Sequence, residues 1–146
     1  MNDKKTNSCT ALHNSLYLAP DELRHCCKRF YVDGKMKGDV KIFPVTKSTD
    51  INAKNIIKAK KKLYDEINSG EKETPCTGCP YLVKDNWPSL EKLEIKHLSI
   101  ESHSVCSMKC TYCNETYYGG KKANYHLEEI LKNLIESKSI SKKLSV

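Results

Sequence analysis

The stretch Leu93-Glu94-Ile95-Lys96-His97-Leu98-Ser99-Ile100-Glu101, followed at 106–113 by Cys106-Ser107-Met108-Lys109-Cys110-Thr111-Tyr112-Cys113, decides how the chain is read. Leu93, Ile95, Leu98 and Ile100 are the apolar points of a strand over about 93–101, with Glu94, Lys96, Ser99 and Glu101 as polar partners. The loop from Ser102 holds three cysteines in the spacing C-x-x-x-C-x-x-C and passes through Gly119-Gly120. An amphipathic helix then begins near Asn124 and carries Leu127, Ile130, Leu131, Leu134 and Ile135 at helical spacing. Strand, cysteine loop and helix form one β-α unit, and α/β folds place chemically active groups where such a strand ends.

Three thiolates are one ligand short of a closed tetrahedral site. A zinc ion would draw a fourth ligand from His103 or His126. A four-iron, four-sulfur cluster on three cysteines leaves one iron open for chemistry. The run from Cys106 to Asn114, with Tyr112 just before the last cysteine, resembles the signature of the radical S-adenosylmethionine enzymes. The strand ending Leu98-Ser99-Ile100-Glu101 resembles the first barrel strand of that family. The resemblance implies that Cys106, Cys110 and Cys113 ligate a [4Fe-4S] cluster, that S-adenosylmethionine chelates the fourth iron, and that Tyr112 packs near the adenine. It implies a 5′-deoxyadenosyl radical that abstracts hydrogen from a substrate, and an electron donor such as flavodoxin or ferredoxin. Gly119-Gly120 is not assigned the family's glycine-glycine-acidic role, because Lys121 follows it.

A barrel of that kind needs roughly 200 residues. The expected fold class is therefore α/β: the first β-α unit of a radical S-adenosylmethionine partial barrel over 89–146, truncated, behind a small α+β cysteine-rich module. The expected chain is an N-terminal fragment of a longer enzyme, a truncated gene product or part of a split protein completed by another chain, inactive alone, with its substrate and catalytic residues unassigned. The alternative is a small iron–sulfur or zinc protein with an electron-transfer or structural role.

The upstream module covers 19–88. Pro20-Asp21-Glu22 has the form of a helix start. Phe30-Tyr31-Val32, the turn Asp33-Gly34, and the alternating Val40 and Ile42 predict a hairpin over about 29–43. Ser48 to Asp50 caps a helix over about 51–68 whose apolar positions have Lys60 as their one polar exception, and Gly70 stops it. Four lysines within 58–62 are read as a solvated helix face. Pro75-Cys76-Thr77-Gly78-Cys79-Pro80 is a tight loop, and 81–92 is connecting chain. Cys26, Cys27, Cys76 and Cys79 make a candidate four-ligand set for zinc or a second iron–sulfur cluster, with His25 able to replace one cysteine, the alternative being free buried thiols. The arrangement resembles a piece of the auxiliary-cluster domain attached to many radical S-adenosylmethionine enzymes, in a different order. Cys9 is read as a bystander, residues 1–18 as a flexible end, and the stretch after Glu136 as a polar tail.

Composition supports this frame. The 146 residues are 38% apolar and 29% charged, with no apolar run long enough for a bilayer and no signal-peptide pattern, which points to the cytoplasm. Eight cysteines without an export signal point to metal or redox chemistry in a reducing compartment. The excess of 25 basic over 18 acidic residues is spread along the chain, so no nucleic-acid partner is expected. No phosphate-binding glycine loop or nucleophile elbow is present.

Overall fold

The computed structural model describes residues 5–70, 73–101, 106–108, 110–111 and 121–146. Its centre is a five-stranded sheet. The middle strand is β2 (Ser15–Leu18), which follows a short strand β1 (Thr6–Ser8) and a single helical turn α1 (Thr10–Asn14). The segment read as a flexible end thus supplies the sheet's central strand. Its period-two pattern explains this: Leu16 and Leu18 are fully buried on one face, while Tyr17 lies on the other.

Two antiparallel neighbours extend the sheet on one side: β3 (Glu22–Arg24) pairs with β2, and β6 (Lys41–Pro44) with β3. Pro20-Asp21-Glu22 therefore opens a strand and not a helix. Leu23 is fully buried between its neighbours, and tertiary pairing overrides the helix-start signal. Between β3 and β6, β4 (Arg29–Val32) and β5 (Lys35–Gly38) form a separate two-stranded hairpin. Its turn is Asp33-Gly34, with φ of 50° and 74°, as the sequence predicts. The hairpin is shorter than expected: Val40 and Ile42 leave it, and Ile42 joins β6 in the larger sheet.

On the other side of β2 the pairing is parallel. β8 (Ile95–Ile100) sets Leu98 beside Leu16 and Ile100 beside Leu18, and β9 (Ile140–Ser145) lies parallel to β8. Helix α3 (Leu127–Glu136) is the crossover between them, so the polar tail closes a β-α-β unit. Helix α2 (Ala53–Ser69) is capped by the Asn52 side chain, which accepts from the Asn55 N–H at 3.0 Å, and ends at Gly70. Ile56 of α2 and Ile130 and Leu134 of α3 meet Leu16, Leu18, Leu23, Ile95 and Leu98 in one core.

The sheet is mixed, in the order β6-β3-β2-β8-β9, and does not close or curl into a barrel. The expected partial barrel is thereby corrected. β8 has antiparallel-linked strands beyond its β2 neighbour, where a parallel barrel requires parallel ones. No helix among the described residues is long and apolar enough to cross a membrane.

A smaller core lies at the far end of α2. Leu12, Val40, Leu63 and Cys76 are buried there, with Cys9, Cys26, Cys79, Tyr64, Ile67 and Leu82 packed against them. Beside it, β1 pairs with β7 (Val83–Asp85), and Thr6 Oγ1 lies 2.6 Å from the Tyr64 hydroxyl of α2.

Candidate thiol site

The loop between α2 and β7 carries Cys76-Thr77-Gly78-Cys79. The Cys79 N–H donates to the Cys76 carbonyl at 2.9 Å, and the Thr77 N–H to the Thr74 carbonyl at 3.0 Å, so two turns overlap. A hydrogen bond of this i to i+3 kind holds the two Cα atoms within about 7 Å. That separation lies in the range from which a disulfide can close. Gly78 makes the turn possible: its φ is 80°, and a Cβ there would lie 2.7 Å from Val32 Cγ2 of the hairpin. Thr77 Oγ1 accepts from the Thr74 N–H at 2.8 Å, and Thr74 Oγ1 from the Cys76 N–H at 3.2 Å. The backbone around Cys76 is thus fixed by its own side chains. Cys76 is buried and Cys79 half-buried.

Two further cysteines reach the same core. Cys9 caps α1, its Sγ accepting from the Leu12 N–H at 3.4 Å. Cys26 packs beside it; both raise the Cys76 thiol, and Cys26 raises that of Cys9. Burial pushes the Cys76 thiol up to about 12, reinforced by Cys9, Cys26 and Cys79. Burial likewise raises Cys9, partly offset by its hydrogen bond from Leu12.

Lys60 stands against these thiols. Its side chain is only 1% exposed, and its Nζ donates to the carbonyls of Leu12 at 2.8 Å and Ser15 at 2.9 Å. One residue of α2 thereby ties down the end of α1 and the start of β2. Burial lowers Lys60 to about 7, and the nearby Cys9 and Cys26 act in the opposite direction. His25 is buried and held near 3 by burial and by Lys60, so it is neutral, and its Nδ1 has no hydrogen-bond partner among the described residues. His13, lowered by the same two causes, stacks on Trp87 with ring centroids 5.0 Å apart, and its Nε2 lies 2.9 Å from Ser8 Oγ.

The residues singled out in the sequence divide accordingly. Cys26, Cys76 and Cys79 come together, while Cys27 is exposed beside its neighbour. Cys9, read as a bystander, joins the group in its place. No local spacing could reveal this, because its partners Cys26, Cys76 and Cys79 are far along the chain. Cys106 is exposed, with its Sγ accepting from the Met108 N–H at 3.4 Å, and Cys110 is half-buried. The expectations for Cys113 and Tyr112 lie outside the described residues.

Among the described residues, no group of three or more His, Cys, Asp or Glu side chains could hold a metal ion. This overturns the [4Fe-4S] cluster, the second iron–sulfur cluster or zinc, and with them S-adenosylmethionine binding and radical chemistry. The alternative of a small iron–sulfur or zinc protein is corrected on the same finding. The physical reason lies in the packing. Cys9, Cys26, Cys76 and Cys79 pack as small apolar groups among Leu12, Val40 and Leu63, while Cys27 and Cys106 are exposed. Nor is the radical S-adenosylmethionine family supported by likeness: no family model, curated protein or solved structure matches the chain.

Proposed function

We propose that this chain is a thiol-redox module in which Cys76 and Cys79 interconvert between dithiol and disulfide. The observation that carries it is the 2.9 Å hydrogen bond from the Cys79 N–H to the Cys76 carbonyl, which holds the pair in a turn from which a disulfide can close. The oxidant is a low-molecular-weight disulfide. The Cys79 thiolate attacks one sulfur of that oxidant and releases one small thiolate, leaving a mixed disulfide. The Cys76 thiolate then attacks the Cys79 sulfur and expels the second. Two thiols of the protein are oxidised, one external disulfide is reduced to two thiols, and two protons leave Cys76 and Cys79.

Exposure assigns the order. Cys79 is the half-buried member that an oxidant reaches first, and Cys76 is the buried member that closes the ring. Because burial holds Cys76 at about 12, the closing thiolate is scarce at neutral pH, and the rate of closure rises with pH through that range.

The test is oxidation of the chain by glutathione disulfide, followed by intact mass and peptide mapping. The expected product links Cys76 to Cys79, and Cys79→Ser abolishes it, whereas Cys27→Ser leaves it in place. A Cys76 that never leaves the thiol state, or that pairs with another cysteine, overturns the reading.

A further inference from the structure

Leu16, Leu18, Leu98 and Ile100 lie on the face of the central sheet against which α2 and α3 pack. The residues that alternate with them share the opposite face. There the parallel register sets Ser15 beside His97 and Tyr17 beside Ser99, and His97 is in turn the partner of Ser145 in β9. Three of these side chains form a hydrogen-bonded chain. Ser145 Oγ donates to the Lys96 carbonyl at 3.2 Å, which uses its single proton. Its lone pairs then accept from the Nδ1–H of His97, 2.8 Å away. That bond fixes the tautomer, so His97 Nε2 keeps a lone pair and accepts from the Ser99 hydroxyl at 3.4 Å. His97 and Ser99 line a cavity of about 300 Å³ together with Leu16, Tyr17, Cys27 and Lys28. Lys28 is the cation of that lining, and among the described residues no carboxylate belongs to it.

We propose that this cavity is a second chemical site, where Ser99 is the nucleophile toward short-chain carboxylic esters, His97 its general base and Ser145 the positioning residue. A serine hydroxyl is a weak nucleophile until a neighbouring base takes its proton, and a third group must hold that base in the right tautomer. Ser99, His97 and Ser145 supply those parts in that order. The bond from Ser99 to His97 is long, and bonds of this kind tighten when a substrate binds. A cavity of this size takes a short acyl group, and the Lys28 ammonium favours the negative oxygen that develops on an attacked carbonyl. In the first step Ser99 Oγ bonds to the ester carbonyl carbon and its proton passes to His97 Nε2. The bond to the alcohol oxygen breaks, and the alcohol leaves with that proton. Water then attacks the acyl-serine by the same route, releasing the carboxylic acid and restoring Ser99. No electron changes hands, and the site is independent of the thiol turn, since neither Cys76 nor Cys79 lines the cavity.

The experiment treats the phosphine-reduced chain with a fluorophosphonate, which labels activated serines, and maps the modified residue by peptide mass. Hydrolysis of p-nitrophenyl acetate is followed in parallel. The wild type is expected to carry the label on Ser99, and His97→Ala to label at least about a hundredfold more slowly. Ser99→Ala should lower ester hydrolysis by a similar factor. Ser145→Ala should slow labelling about tenfold, the worth of one hydrogen bond, and Ser145→Thr, which keeps the hydroxyl, should restore the wild-type rate. Because the mapping is made on the wild type, the test does not depend on how well a variant folds. An unlabelled wild type, a label on Cys27 in place of Ser99, or equal labelling of wild type and His97→Ala overturns the site. Equal rates for wild type and Ser145→Ala overturn the positioning role.

Discussion

Lys60 gives the thiol site a pH dependence that a solvated lysine does not. In the unfolded chain it titrates near 10.5, and in the folded chain burial lowers it to about 7. Between these values the unfolded chain holds a proton that the folded chain has released. Stability therefore rises with pH, by about 1.4 kcal/mol per unit once Lys60 has titrated. From pH 7 to pH 8.5 the gain is roughly 1.5 kcal/mol, since half of the group is still charged at the lower end. His13 and His25, both lowered, add to this rise, and the raised Cys9 and Cys76 oppose it. The remaining slope belongs to Lys60. Urea denaturation under reducing conditions, followed by the fluorescence of Trp87, measures it. The wild type should gain roughly 1.5 kcal/mol between the two pH values and Lys60→Met close to none. Equal slopes in the two proteins would refute the claim that an ammonium is buried against Leu12 and Ser15.

Three further outcomes follow from the packing. Leu16→Ala in the central strand should cost about 2–5 kcal/mol in urea unfolding, because Leu16 is buried against Leu98 and both helices. Gly78→Ala puts a methyl 2.7 Å from Val32 Cγ2 at a φ of 80°; it should lower stability by about 1–2 kcal/mol and slow closure of the disulfide, read by alkylation after timed oxidation. Glu22→Gln weakens the acceptor that Arg24 reaches at 2.5 Å and Lys41 at 2.9 Å, so the thermal midpoint should fall and its salt dependence should diminish.

Much of the secondary structure was legible where local signals were strong. Asn52 and Gly70 bracket α2 within two residues of the expected bounds, and Leu98 and Ile100 mark β8. The Asp33-Gly34 turn fixed the hairpin but not where its second strand ended, because Lys35, Met36 and Lys37 show no apolar alternation. β9 was hidden for a similar reason: Ile140 and Leu144 are its only large apolar residues, and it forms because β8 offers a parallel edge. β2 and β3 are so short that the alternation of Leu16 and Leu18 does not stand out in the sequence, and pairing selects them as strands.

The candidate site was legible in part. The C-x-x-C spacing and its glycine foretold the turn. Nothing near Cys9 announced its role, since the contact spans most of α2 and the hairpin. Lys60 was visible as a polar break in an apolar stripe, but its partners are main-chain carbonyls, which carry no side-chain pattern to find. The three-cysteine loop pulled the reading toward a family because spacing is easily recognised, while sheet order, set by long-range pairing, is not.

The most direct test is a redox titration of the intact chain in glutathione buffers, with each cysteine mapped by differential alkylation at every potential. The account predicts one two-electron transition in which Cys76 and Cys79 lose reactivity together while Cys27 and Cys106 remain alkylatable. Cys76 and Cys79 that stay reduced throughout, or thiols masked from alkylation until a chelator is added, would contradict it.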